Sequence, residues 1–135
     1  MSSAKKQLLS GARILLVEDN LLIAMEVEKT LEEYGAEVVI CIGSAEAISA
    51  MDSGHFDFLL TDYALGGASI LPMLHLAAGR NIPLAILTGY PAHHLAEGAH
   101  GLKIFEKPFR EADIVEHIAS ILSRNTVVEN EPPVE

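Results

Sequence analysis

Cysteine is nearly absent from this 135-residue sequence: only Cys41 is present, which excludes an internal disulfide and fits a reducing compartment. Basic residues are also scarce, with nine Lys and Arg in total and no run longer than Lys5-Lys6. Because proteins that bind nucleic acid usually present a basic face, direct nucleic-acid binding is disfavoured. No apolar run reaches the length of a membrane span, and the N-terminus is too short and too polar for a signal peptide. We therefore expect a cytoplasmic protein without a membrane or nucleic-acid partner.

Apolar and acidic residues are plentiful. Half of the residues are hydrophobic and 21% are charged, which is enough apolar material for the core of one domain of this length. Nineteen acidic residues give a formal net charge of -10. A bound cation, or a basic surface on a partner, is the natural complement to this excess of negative charge.

Short apolar runs alternate with amphipathic helical patterns, which is typical of a parallel sheet covered by helices on both faces. Helices are predicted at about residues 20–34, 44–51, 69–78 and 111–122, with Ser44 as the cap of the second. Glycines and a proline leave room for only about two helical turns between Thr88 and Gly101, near residues 92–97. The sequence thus predicts an α/β fold of five strands and five helices with a short or irregular fourth helix. The predicted strands are Ile14 to Val17, Val38 to Ile42, Phe56 to Thr61, Leu84 to Leu87 and Leu102 to Phe105.

Polar side chains follow four of the five predicted strands at their carboxyl ends, where ligands bind in an open parallel sheet. They are Glu18 and Asp19, Asp62, Thr88, and Lys107. Each of these residues alone has an ordinary explanation as a loop or cap residue, but their joint placement on one rim indicates a site. Three clustered carboxylates favour a hard divalent cation such as Mg²⁺, and a lysine and a threonine hydroxyl suit phosphoryl oxygens. Together they are the groups needed to place an aspartate for attack on phosphorus.

Four motifs resemble those of bacterial two-component receiver domains. They are ILLVEDN (14–20), DFLLTDYALGG (57–67), PLAILTGY (83–90) and FEKPF (105–109), and the resemblance extends from about residue 13 to residue 122. The resemblance implies a doubly wound (βα)₅ fold of the flavodoxin-like type, with strand order 2-1-3-4-5. It also implies a signalling phosphoacceptor rather than an enzyme, with a histidine kinase or phosphotransfer protein as its partner.

The same resemblance implies a role for each residue on the rim. Asp62 would be the phosphoacceptor, and Asp19 and Asp62 would ligate Mg²⁺ directly. The backbone carbonyl of Ala64 would be a third metal ligand, and Glu18 would act mostly through water.

Two further residues complete the set of roles that the resemblance implies. Thr88 would be the switch hydroxyl, and Lys107 would pair with the phosphoryl group. The Lys107-Pro108 peptide bond is usually cis in such domains.

The motifs LGG and PLAILTGY are similar to those of a narrower group of alphaproteobacterial receivers known by the motif P-F-x-F-A-T-G-Y, the "FAT GUY" group. Many members are stand-alone receivers associated with HWE-type or related histidine kinases. The match is partial, because Leu84, Ile86 and Leu87 replace the two Phe and the Ala of that motif.

The sequence departs from ordinary receivers in ways that bear on how a signal leaves the domain. Ile104 stands three residues before the lysine, where a Tyr or Phe usually reports phosphorylation, and alternation points Phe105 to the opposite face. Thr88 and Lys107 are 19 positions apart, about one helical turn fewer than usual, so the fourth helix is the segment that we expect to move on phosphorylation. Ala64 and Tyr90 supply no acid or amide to orient water, which predicts slow self-dephosphorylation.

We expect residues 1–11 to be an N-terminal extension, residues 12–124 the receiver domain and residues 125–135 a disordered tail. This layout predicts a receiver without its own output domain that signals by protein contact. Two alternatives remain: an interaction module that is never phosphorylated, and the excised receiver of a longer regulator. A phosphohydrolase with an aspartyl-phosphate intermediate is disfavoured, because such enzymes normally carry a second acid where this chain has Ala64.

Overall fold

The computed structural model describes residues 7–65, 69–89 and 102–130. Its parallel strands lie in the order β2-β1-β3-β4-β5, which confirms the predicted strand order and the receiver-type fold. Four helices lie within the described residues, and the predicted fourth of five, near residues 92–97, falls outside them. The strands are β1 (Arg13–Val17), β2 (Glu37–Cys41), β3 (Phe58–Asp62), β4 (Leu84–Thr88) and β5 (Lys103–Glu106), and the helices are α1 (Leu21–Glu33), α2 (Ser44–Ser53), α3 (Leu71–Gly79) and α4 (Glu111–Asn130).

Helices cover both faces of the sheet, which is why the central strands are mostly apolar and carry their polar residues at their ends. Along β1, Ile14 and Leu16 pack with α1 and α4, whereas Leu15 and Val17 pack with α2 and α3. All five residues of β3 are buried. Two apolar layers thus fix the central strands from both sides and hold their carboxyl ends in a defined position.

The ends of α1 and α2 show how local sequence sets helix boundaries. The Asn20 side chain accepts hydrogen bonds from the backbone N–H groups of Leu22 and Ile23, and so begins α1 directly beside the rim. The prediction that Ser44 caps α2 is wrong. Gly43 occupies the cap position without a side-chain bond, and Ser44 is the first helical residue.

Both ends of the described chain differ from the predicted layout. A disordered tail was expected from residue 125, but the last helix continues to Asn130. It continues because no proline or glycine interrupts the sequence between Glu111 and Pro132. At the other end Leu9, assigned to an extension, is only 1% exposed and packs in the α1/α4 core. Its backbone N–H donates to the carbonyl oxygen of Tyr34 at 2.8 Å. Among the described residues, no helix is long and apolar enough to cross a membrane.

We expect Phe58→Ala to lower the free energy of unfolding by about 3–5 kcal/mol, because Phe58 is fully buried in β3 and its removal leaves a cavity. Urea denaturation followed by circular dichroism measures the change. Leu22→Ala is the matched control, since Leu22 is 77% exposed and its loss should change the stability by less than about 0.5 kcal/mol. Equal effects of the two substitutions would contradict the burial that the structure shows.

Candidate functional site

Three carboxylates meet at the carboxyl ends of β1 and β3. Glu18 and Asp19 follow β1 directly, and Asp62 is the last residue of β3. One oxygen from each carboxylate lies within 4.8 Å of the others. Glu18 is fully buried and Asp62 nearly so, while Asp19 is exposed. The structure thus brings together residues that the sequence separates by more than forty positions.

Lys107 joins this cluster from the loop after β5. Its Nζ lies 2.9 Å from Oδ2 of Asp62 and 3.3 Å from Oε1 of Glu18. Burial alone would lower the pKa of Lys107, but the hydrogen bonds and charges of Asp62 and Glu18 outweigh burial and raise it above its ordinary value. The lysine is therefore a protonated counter-ion that touches two of the three carboxylates.

Backbone groups hold the carboxylates in place. Oε2 of Glu18 accepts the N–H of Asn20 at 3.0 Å, and Oδ1 of Asp62 accepts the N–H of Ala64 at 3.0 Å. Glu18 and Asp62 therefore each have one carboxylate oxygen bound by the main chain and the other bound by Lys107. The role of these N–H groups was not part of the sequence prediction, because residue types do not reveal backbone donors.

Thr88 ends β4 and is buried, and its carbonyl oxygen accepts the N–H of Lys107 at 2.6 Å. This hydrogen bond ties the loop that carries the lysine to the end of β4. The Lys107-Pro108 peptide bond is cis, as the resemblance implied.

Burial raises the pKa of Glu18 from 4.5 to about 7. The Asn20 N–H and the charge of Lys107 lower it, but the neighbouring Asp62 raises it further. A carboxyl buried beside another carboxylate binds a proton more readily than one in water. The cluster therefore has more negative charge than a single lysine compensates when all three acids are ionised.

The donor set fits a hard divalent cation. When all three carboxylates are ionised, they and the one ammonium carry a net charge of 3 × (-1) + 1 = -2, which a divalent cation neutralises. All donors are oxygen atoms, with exposed Asp19 on the solvent side, and Mg²⁺ prefers a few carboxylate oxygens together with water. Glu18, Asp19 and Asp62 are thus the side chains that offer ligands at this rim.

We expect the stability of the cation-free protein to fall as the pH rises from about 4.5 to about 7, as far as Glu18 contributes. A carboxyl with a raised pKa binds its proton more tightly in the folded state than in the unfolded state. Its contribution to stability is therefore complete at a pH below the pKa of the unfolded state. The contribution is lost as the pH rises through the pKa of the folded state. The loss amounts to at most about 3 kcal/mol. Urea denaturation across this range, without divalent cations, should show a steeper fall for the wild type than for Glu18→Gln.

Glu26→Gln serves as the control for that comparison, because Glu26 is an exposed acid on α1. Its pH profile should match that of the wild type. Parallel profiles for the wild type and Glu18→Gln would show that Glu18 titrates normally in the folded protein.

The family described as "Response regulator receiver domain" matches residues 14–119 of this chain. The swarming motility regulation protein RssB of Serratia marcescens is 31% identical over an alignment of 118 residues, and the match covers 82% of this chain and 53% of that protein. The chain spans about half the length of the curated relatives it matches.

Solved structures show the same fold. A response regulator receiver protein from Sinorhizobium medicae superimposes with a TM-score of 0.77 at 26% identity, covering 85% of this chain and 97% of that one. The response regulator TrrA of Thermotoga maritima, crystallised in complex with Mg²⁺-BeF, superimposes with a TM-score of 0.73 at 22% identity, covering 82% and 98%.

Proposed function

This chain belongs to the response regulator receiver domain family, and from that premise we propose that it accepts a phosphoryl group on Asp62 from a histidine kinase or phosphotransfer protein. The phosphorylated chain then signals by contact with another protein. It acts in the cytoplasm as a signalling phosphoacceptor rather than as an enzyme with a substrate of its own. Neither nucleic acid nor a membrane is a partner in this proposal.

The position of Asp62 supports this proposal most directly. The carboxylate is nearly buried, and its two oxygens are fixed by the Ala64 N–H and by the Lys107 ammonium. A carboxylate held in this way is pre-oriented as a nucleophile, and it reacts without first having to lose a mobile hydration shell.

The transfer itself exchanges one bond to phosphorus for another. An oxygen of Asp62 forms a bond to the phosphorus atom while the bond from phosphorus to the imidazole nitrogen of the donor breaks. The imidazole keeps that electron pair and takes up a proton from solvent. Lys107 and the Thr88 hydroxyl then pair with phosphoryl oxygens, which stabilises the charge that spreads over them.

A divalent cation, Mg²⁺ in this proposal, supplies positive charge beside the phosphoryl group when it is bound. Asp19 and Asp62 would ligate it directly, the carbonyl oxygen of Ala64 would be a third ligand, and Glu18 would act mostly through water. The net charge of the cluster supports this assignment, as does the Mg²⁺-BeF complex of the relative TrrA. Ala64 has no acid or amide group that could orient water, which favours slow self-dephosphorylation and a long-lived phosphorylated form. Tyr90, the other residue on which the prediction of slow self-dephosphorylation rests, lies outside the described residues.

The narrower assignment to the "FAT GUY" group and to a stand-alone receiver is also part of this proposal. It rests on the motifs LGG and PLAILTGY. The proposed movement of the fourth helix concerns residues 90–101, which lie outside the described residues.

The test is incubation with Mg²⁺ and acetyl phosphate, followed by intact-mass spectrometry. We expect each chain to gain one phosphoryl group in the presence of Mg²⁺ and none when EDTA replaces the cation. Reduction with borohydride and peptide mapping should then place the modification on Asp62. No gain in mass would reject the proposal and favour an interaction module with a receiver fold that is never phosphorylated.

A further inference from the structure

A histidine on the last helix touches two strands at once. The ring centroid of His117 on α4 lies 6.1 Å from that of Phe58 on β3 and 5.8 Å from that of Phe105 on β5. Both contacts are edge-to-face, with interplanar angles of 80° and 73°. Such pairs are directional, so their geometry changes when one ring moves relative to the other.

The sheet provides room for this ring because the intervening strand carries a small residue. Strand β4 lies between β3 and β5, and Ala85 faces the same apolar layer as both phenylalanines. The neighbouring α4 residues Ile114 and Ile118 are fully buried in that layer. The side chain of His117 thus joins β3 and β5 across a strand that separates them.

The two strands in contact with His117 are those that lead to the two residues joined at the rim. Phe58 begins β3, which ends at Asp62, and Phe105 lies two positions before Lys107. At the rim, the same two strands are joined a second time by the ion pair between Asp62 and Lys107, with an Oδ2–Nζ distance of 2.9 Å. A change at that ion pair therefore bears on the relative position of the two strands that His117 bridges.

The opposite face of β5 carries no aromatic side chain at the corresponding place. Ile104 packs in the layer with α2 and α3, whereas Phe105 packs in the layer with α4. We propose that the contact of His117 with Phe58 and Phe105 is how α4 senses phosphorylation of Asp62; this inference rests on the proposed function. The aromatic residue that reports phosphorylation in this chain is then Phe105, on the face of the sheet that α4 covers.

The physical basis is the change of partner that phosphorylation forces on Lys107. With Asp62 unmodified, the ammonium binds a carboxylate oxygen directly. A phosphoryl group places more strongly charged oxygens farther from the strand end, and Lys107 moves to reach them. The backbone of β5 moves with the lysine, because Lys107 directly follows the last residue of β5. Among the described strands, β5 pairs only with β4.

An edge strand with one neighbour yields to such a pull more readily than β3, which is paired on both sides. The Phe105 ring therefore shifts against His117, while Phe58 stays in place. Lys103, whose Nζ lies 5.1 Å from the Phe105 ring centroid, moves with the same strand.

Nuclear magnetic resonance of the histidine rings tests this inference at constant pH, with and without Mg²⁺ and beryllium fluoride as the phosphoryl analogue. We expect the ring signals of His117 to shift and those of His55 and His75 to stay. His55 is the control at the other end of the sheet, with a side chain that is 82% exposed, and His75 is exposed on α3.

The variant Phe105→Leu keeps apolar volume but removes one of the two rings. We expect the analogue-induced shift of His117 to fall toward the level of the control histidines in this variant. The backbone amide signals of Ala64 and Lys107 report separately whether the analogue occupies the rim.

Three outcomes are distinguishable. A shift of the rim amides together with His117 supports the inference. A shift of the rim amides with an unchanged His117 overturns the inference and leaves the proposed function intact. Unchanged rim amides overturn the proposed function itself, and the inference with it.

Discussion

Replacement of Asp62 by Asn is expected to abolish phosphorylation by acetyl phosphate, with a fall in rate of at least about 10³-fold. The amide oxygen of asparagine is a poor nucleophile, and the substitution removes one of the two anionic partners of Lys107. The fold should persist, because the retained carbonyl oxygen still accepts the Ala64 N–H. Intact-mass spectrometry over time, with Mg²⁺ present, measures the rate.

Asp52→Asn is the control for this substitution. It makes the same chemical change at an exposed aspartate that pairs with Arg80, outside the carboxylate cluster. We expect this variant to be phosphorylated at the wild-type rate. Labelling of Asp62→Asn at the wild-type rate would show that another residue is the acceptor.

Replacement of Lys107 by Met should separate metal binding from phosphoryl transfer. The ammonium is the only basic group hydrogen-bonded to Glu18 and Asp62 within residues 7–65, 69–89 and 102–123. Its loss removes charge stabilisation from the transferring group, which we expect to slow transfer by about 10²–10³-fold. The affinity for Mg²⁺ should be unchanged or higher, because a competing cation leaves the carboxylates.

Calorimetric titration with Mg²⁺ and phosphorylation by acetyl phosphate test both parts of that prediction. Lys103→Met is the matched control, since Lys103 lies over the Phe105 ring rather than at the rim. A parallel loss of Mg²⁺ affinity and transfer in Lys107→Met would contradict the separation. It would indicate that the lysine mainly holds the carboxylates in place.

Much of the fold was predictable, because its elements are short and strongly patterned. The strand runs in the sequence match the observed strands within one or two residues, and their order is confirmed. The convergence of Glu18, Asp19, Asp62 and Lys107 followed from a general property of parallel sheets. The catalytic and metal-binding roles of these residues are still predictions.

The features that the sequence did not reveal depend on tertiary contacts or on the backbone. The cap position of Gly43 gives no side-chain signal, and Ser44 beside it is a stronger match to a capping pattern. The continuation of α4 to Asn130 follows from the lack of a helix breaker, although its polar composition is typical of disorder. The buried state of Glu18 depends on elements distant in sequence.

The burial of Leu9 has a practical consequence for anyone who excises or grafts this domain. The family match begins at residue 14, so a fragment cut at that boundary would lack Leu9 and the hydrogen bond to Tyr34. Such a fragment would expose part of the layer between α1 and α4 to water. Fusions and chimaeras should therefore be joined upstream of Gln7, so that Leu9 stays with the domain.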